Sequence, residues 1–284
     1  MATETIREEG LDKFYTIPIV AKACIDQIGS IYDWNSWDLV VEPSAGNGSF
    51  SNQIPRSLVA MDIAPEASGI LVQDFFTYMP AAAAAAKKIL VIGNPPFGRV
   101  SSLAIKFFNH AAAWATVIAF IVPRTFRRIS VQNRLSLDFA LIHDEDIPME
   151  PCSFNPPMQA KCCFQIWVKQ RAKRPIIDLP TTHIDWTFLS FGPKDATGQP
   201  TPPVGADFAI RAYGGKCGDI VTGAAALAAL RPKSWHWIRV GQKIDATTLM
   251  KRFADLDYSL STDTARQNSI GRAELVQLYV DKYY

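Results

Sequence analysis

Neither sign of charge dominates this chain: 29 Lys and Arg stand against 27 Asp and Glu, a formal +2 over 284 residues. That excludes a polyanion-binding surface spread over the whole protein and leaves room only for a local basic patch. Histidine is scarce, at four residues, and the five cysteines (Cys24, Cys152, Cys162, Cys163 and Cys217) show no metal-ligand spacing. No metal site is expected, and the odd count implies reduced thiols in a cytosol-like compartment. No apolar run reaches membrane-spanning length, and the six alanines Ala81 to Ala86 are the longest low-complexity stretch. Residues 1–10 are charged and lack the apolar centre of a signal peptide. An intracellular protein, in cytoplasm or nucleus and without a membrane partner, is the expectation. Hydrophobic residues are plentiful at 48%, enough to fill the core of one large or two modest domains.

The informative stretch is Lys88-Ile89-Leu90-Val91-Ile92-Gly93-Asn94-Pro95-Pro96-Phe97-Gly98. Its aliphatic run reads as a buried strand, stopped by two prolines that cannot donate to a sheet ladder. The stiff turn that follows holds an amide side chain, a free carbonyl and an aromatic ring in fixed relation. Such a set suits the exocyclic amine of a flat base. The Asn94 side-chain oxygen and the Pro95 carbonyl can accept its two N–H bonds, drawing the nitrogen towards a tetrahedral shape and freeing its lone pair. Phe97 can stack on the base for about 1–3 kcal/mol. A plain strand-ending turn capped by Asn94 fits these residues equally well.

Upstream, Trp37 to Glu42 reads as a strand, followed by Pro43-Ser44-Ala45-Gly46-Asn47-Gly48 and a helix expected to start near Ser49. Strand, Gly-rich turn and helix N-terminus form the first unit of a nucleotide-type α/β fold. Glu42 at the strand end disfavours a pyrophosphate and favours a ligand carrying an amine. Leu58 to Asp62 and Ile70 to Phe76 are further strands. Asp62 is placed to accept ribose hydroxyls, and Asp74 with Phe75 to hold an adenine. Glu42, Asp62, Asp74 and Asn94 thus fall at four successive strand ends, the edge where open α/β sheets bind ligands. The alanine run between the third and fourth strands is expected to be helical.

A helix is expected over Ser101 to Ala113, and strands over Val117 to Val122, Leu137 to His143 and Lys161 to Lys169, with a charged loop at His143 to Asp146. Arg124, Arg127, Arg128 and Arg134 have no acid among them. They read either as a solvated face or as a phosphate-contact patch, with Arg124, Arg127 and Arg128 the candidate substrate contacts. The basic run Lys169 to Arg174 suggests a boundary, separating a catalytic domain over 1–175 from a smaller α+β region over 176–284, which its place in the chain marks as the target-recognition module. That second region has aromatic strands near Trp186 to Phe191 and Trp235 to Val240, helix-like Ala246 to Leu256, and no acid–base constellation. Near the start, Thr16 is a plausible N-cap for a helix over Ile19 to Ile28.

Phe14-Tyr15-Thr16-Ile17-Pro18, Glu42-Pro43-Ser44-Ala45-Gly46-Asn47-Gly48 and Asn94-Pro95-Pro96-Phe97 together resemble the S-adenosylmethionine-dependent DNA amino-methyltransferases of the N6-adenine type. The order of parts looks like the gamma arrangement. Gly93 to Ser102 and Phe164-Gln165-Ile166-Trp167 look closest to versions carried by large DNA viruses and mobile elements, which would place the protein in an infected cell. The resemblance covers residues 11 to 170 and implies a Rossmann-like class I methyltransferase fold with a mostly parallel seven-stranded sheet. It implies S-adenosyl-L-methionine as cofactor, with Tyr15 and Thr16 at its methionine end. Glu42, Pro43, Ser44, Ala45 and Gly46 would line its amino-acid pocket, Asp62 and Ile63 its ribose side, and Asp74 and Phe75 its adenine. Asn94, Pro95, Pro96 and Phe97 would form the catalytic set. Ile17 departs from the pattern, since the family usually has proline directly after threonine. The implied partner is duplex DNA with an adenine flipped out, ahead of RNA. An RNA adenine, a glutamine amide, cytosine N4 and a catalytically silent DNA-binding subunit are the rival readings.

Overall fold

The carboxyl edge of a single sheet organises the first part of the chain. The computed structural model describes residues 13–81 and 88–284; the alanine run expected to be helical falls largely outside them. The chain divides into two units, Met1–Ile176 and Ile177–Tyr284.

In the first unit, β1 (Tyr15–Thr16) leads into α1 (Pro18–Ile31). Then come β2 (Leu39–Pro43), β3 (Val59–Asp62), β4 (Leu71–Val72) and β5 (Ile89–Gly93). After them follow α2 (Ser102–Ala112), β6 (Val117–Pro123), α3 (Ile129–Gln132), β7 (Phe139–Asp146), β8 (Phe154–Asn155) and β9 (Cys162–Lys169). Seven strands form one sheet in the order β4-β3-β2-β5-β6-β9-β7. All neighbours are parallel except around β9, which runs antiparallel to both β6 and β7. This is a Rossmann-like sheet, seven-stranded and mostly parallel as expected. The chain winds outward from β2 to β4, then returns to lay β5 on the other side of β2. The crevice at that reversal, between the ends of β2 and β5, is where such sheets bind ligands.

Both faces of the central strands are covered, so β5 and β6 are buried along their whole length, as parallel strands between helical layers must be. Side chains alternate between the faces. Ile89 and Val91 pack with Ala104, Phe107 and Phe108 of α2, while Leu90 and Ile92 pack with Ala21, Ile25 and Ile28 of α1.

Three local expectations are corrected. Thr16 does not cap α1: it pairs with Phe154 in the β1–β8 ladder, and Ile17 is the N-cap, without a side-chain bond. Residues 46–53 form successive turns, not a helix. Gly46 and Gly48 take φ of +55° and +81°, and Pro55 disfavours helical backbone at Ile54, so too few residues remain for a helix to propagate. His143 to Asp146, expected as a charged loop, continue β7 and pair with β9.

The second unit contains β10 (Trp186–Phe188), β11 (Phe208–Arg211), β12 (Ile220–Thr222), α4 (Ala224–Ala228), β13 (Trp235–Val240), α5 (Ala246–Ala254) and α6 (Arg272–Tyr283). Its antiparallel sheet has the order β10-β13-β11-β12. One face packs Trp186, Phe208 and Ile238 on Phe253 of α5 and Tyr279 of α6. Asp245 caps α5 by accepting from the Thr248 N–H at 2.9 Å. No helix among the described residues is long and apolar enough to cross a membrane.

Candidate active site

β5 ends at Gly93, whose φ is +152°; a Cβ there would lie 3.3 Å from Glu42 Cγ. Asn94 follows at the crevice. Its Nδ2 donates to the Phe14 carbonyl at 3.1 Å, which stops the amide from rotating. Its Oδ1 is buried and has no hydrogen-bond partner. A buried acceptor left unpaired costs about 1–3 kcal/mol, so this oxygen is stabilised by any N–H donor brought to it.

Asn94 opens onto a cavity of about 550 Å³, within the span of roughly 300–1,000 Å³ usual for small-molecule sites. Asp62 forms part of its wall. One Asp62 oxygen accepts the Gly46 N–H at 2.9 Å and the other the Ala64 N–H at 2.8 Å. The carboxylate therefore holds the loop after β2 while keeping lone pairs for a ligand. Asp74 is also on the wall and accepts the Phe76 N–H at 2.9 Å. Phe75, buried beside it, stacks on Phe107 with ring centroids 5.1 Å apart. Ile63 lines the cavity with its side chain largely exposed. Ser44 lines it too, its hydroxyl donating to the Pro43 carbonyl and lying 3.4 Å from the Asn94 carbonyl. Tyr15 closes another wall, its ring so near Gly46 that a Cβ there would meet it at 2.5 Å. With φ also positive, position 46 tolerates little but glycine.

Tyr15, Ser44, Asp62, Ile63, Asp74, Phe75, Asn94 and Pro96 are thus brought to one cavity. Thr16, Glu42, Pro43, Ala45, Gly46, Pro95 and Phe97 are not part of its lining. Phe97 is half-buried and packs against the cores on both faces of the sheet, so the stacking ring expected of it is not presented to this cavity.

No known protein family's model matches the chain, and no curated protein matches it. Among solved structures it is similar to a Pyrococcus horikoshii protein whose name provisionally assigns it to the RNA methyltransferases. The identity is 15% and the TM-score 0.42, covering 56% of this chain and 89% of that one. It is also similar to the 23S rRNA methyltransferase ErmE, with 12% identity, TM-score 0.37, and 58% and 72% covered. A third is the plantazolicin methyltransferase BpumL in complex with SAH, with 11% identity, TM-score 0.36, and 54% and 84% covered. At these scores the likenesses carry no part of the functional argument.

Behind the cavity, Glu42 is 2% exposed. Burial pushes its carboxyl up to about 8 from 4.5, with Ser51 opposing the shift and the Asp62 charge adding to it. Neither Glu42 Oε2 nor the Ser51 hydroxyl has a partner at proper hydrogen-bond geometry, so desolvation wins and the protonated acid prevails near neutral pH.

The arginine patch reads differently in the structure. Arg127 Nε contacts both oxygens of Asp144 at 3.0 Å and a terminal nitrogen lies 2.8 Å from Asp146. Arg124 pairs with Asp146 at 2.6 Å. These acids arrive from β7, so Arg124 and Arg127 are held in an ion-pair network and are not the uncompensated phosphate contacts expected of them. Arg128, like these two, is absent from the cavity wall.

Several wall residues were given no site role from the sequence: Phe14, Phe76, Gly98, Arg99, Leu103 and Phe107. Leu103 and Phe107 stand four apart on α2, a spacing that marks one helix face but reads equally as core. Phe14 holds Asn94 through a backbone carbonyl, which leaves no trace in residue type.

Proposed function

We propose that the chain is an S-adenosylmethionine-dependent methyltransferase acting on the N6 amine of adenine in DNA. The observation that carries this reading is the buried, unpartnered Oδ1 of Asn94, a residue fixed by Phe14 and lining the same cavity as Asp62 and Asp74. The residues present fit the cofactor. Asp62 has lone pairs left for ribose hydroxyls, Asp74 can accept an adenine N–H, and Ile63 and Phe75 supply apolar surface beside them. When bound, the cofactor supplies an electrophilic methyl on a sulfonium. Asn94 Oδ1 takes one N–H of the acceptor amine, orients its lone pair towards the methyl and stabilises the positive charge that develops on nitrogen. The Pro95 carbonyl is the second acceptor that the resemblance implies. Catalysis then rests on orientation and hydrogen bonding, without a covalent enzyme intermediate. In a duplex the adenine must first leave the stack, at about a few kcal/mol.

The same acceptor suits an adenine in RNA or the N4 of cytosine, because each presents a planar NH2. The test incubates the pure protein and cofactor with duplex DNA, RNA and protein in parallel, then maps methylated bases by sequencing. Methyl on adenine N6 of DNA is the expected result, and transfer confined to RNA or protein would replace the substrate. Asn94→Ala should bind the cofactor normally by calorimetry and lose at least about 10²-fold in transfer. Full activity in that variant would remove Asn94 from its role.

A further inference from the structure

Lys13, Phe14 and Tyr15 form one short segment, and all three line the cavity. The middle residue supplies the carbonyl that accepts from Asn94 Nδ2 at 3.1 Å. That bond decides which way the amide points. Turned by half a rotation, Asn94 would offer N–H groups where an acceptor is needed, and two donors facing each other form no hydrogen bond. The acceptor role of Oδ1 therefore depends on where the Phe14 carbonyl stands.

An anchor for that carbonyl lies on the loop after β3. A Glu66 oxygen is 3.2 Å from the Lys13 ammonium. A hydrogen bond from the Tyr15 side chain is the main cause that holds the Glu66 carboxyl below its ordinary value; desolvation opposes it and Lys13 adds to it. Lys13 and Tyr15 flank Phe14 two residues apart, the spacing that puts side chains on one side of an extended chain. Glu66 is itself placed: its N–H donates to the Gly46 carbonyl at 2.9 Å, and the Gly46 N–H donates to Asp62. On the other side of Phe14, the segment is held by β8, which pairs with Tyr15 and Thr16, and by the Ile17 N–H donating to the Ser153 carbonyl at 3.0 Å. An exposed ion pair alone contributes little. Here one carboxylate serves two residues, and the bond from Tyr15 is charge-assisted. Glu66 is not on the cavity wall.

We infer that Glu66 is a positioning residue for methyl transfer: by gripping Lys13 and Tyr15 it sets the Phe14 carbonyl, and through it the orientation of the Asn94 amide. The inference rests on the methyltransferase reading, whichever planar amine is the acceptor, and adds a residue that acts on the reaction only through another.

The test measures single-turnover transfer of labelled methyl from S-adenosylmethionine to unmethylated genomic DNA, or to whichever of RNA and protein accepts it if DNA does not. Cofactor is saturating for each protein, as set by calorimetry. The comparison takes wild type, Glu66→Ala, Glu66→Gln, Asn94→Ala and the double variant Glu66→Ala with Asn94→Ala. Glu66→Ala should lose about tenfold in rate, the scale of one hydrogen bond to a charged group. Glu66→Gln keeps an oxygen for Tyr15 but no charge for Lys13, and should lose less. Because Glu66 acts through Asn94, the double variant should be no slower than Asn94→Ala alone. Losses that multiply in the double variant, a Glu66→Ala deficit that vanishes at saturating cofactor, or no deficit at all would overturn the positioning role while leaving the methyltransferase reading intact. A wild type that methylates none of DNA, RNA and protein would overturn that reading, and the role of Glu66 with it.

Discussion

Glu42 shows how much one side chain can shape the behaviour of the site. It sits at the end of β2, shielded by Gly93, with one oxygen unpaired. The unfolded chain ionises this carboxyl near 4.5, whereas the folded protein holds its proton until about 8. Between those values the native state binds a proton that the unfolded state has lost, so stability falls as pH rises through the window and levels off above it. Glu42→Gln removes the titration. Its stability relative to wild type should therefore grow from pH 5 to pH 8 by about a few kcal/mol, as read by chemical denaturation at both values. A difference independent of pH would mean that Glu42 is ionised in the native state. The sequence marked this residue as an acid at a strand end. That it is sealed from water could not be read there, because burial depends on Gly93, which comes from another strand.

At the scale of elements, the segment between β5 and α2 stands out. Val100 and Ser101 both take left-handed backbone, with φ of +53° and +59°. This conformation is costly for any residue with a Cβ and most of all for a β-branched one. Val100 is 74% exposed, so packing offers little in return. Ser101 is buried, and its hydroxyl shares a 2.7 Å hydrogen bond with Thr125. The segment that follows Asn94 to Phe97 is thereby tied to the turn after β6. Val100→Gly should relieve the strain and stabilise the protein by about 1 kcal/mol, seen as a higher unfolding midpoint; a lower midpoint would show that Val100 is not strained. The turn holding Thr125 also carries Arg124 and Arg127. Its local sequence has no acid, yet Asp144 and Asp146 neutralise it, because β9 is laid between β6 and β7 and brings the end of β7 to the same edge.

At the scale of the molecule, the buried clusters of the first unit share no residue with those of the second. A domain with its own core can fold alone. The fragment Met1–Ile176 should therefore fold, as judged by a cooperative unfolding transition, and bind S-adenosylmethionine with the affinity of the whole chain. A whole chain that binds beside a fragment that does not would show that cofactor binding depends on the second unit. Within the first unit, sequence alone marked β2, β3, β5, β6 and β9 as strands and showed where β2 and β5 stop; it did not mark β1 or β8, and it ended β7 too early and β4 too late. Aliphatic runs and the breaks made by Pro43 and by Pro95-Pro96 act over a few residues and need no distant partner. For the same reason it placed Asp62, Asp74 and Asn94 at strand ends. Only the tertiary structure decided that Asn94 is held by a carbonyl 80 residues away, that Tyr15 lies on Gly46, and that Phe97 packs inward. Those outcomes follow from sheet order and from covering both faces of the central strands, and local residue preferences do not encode them.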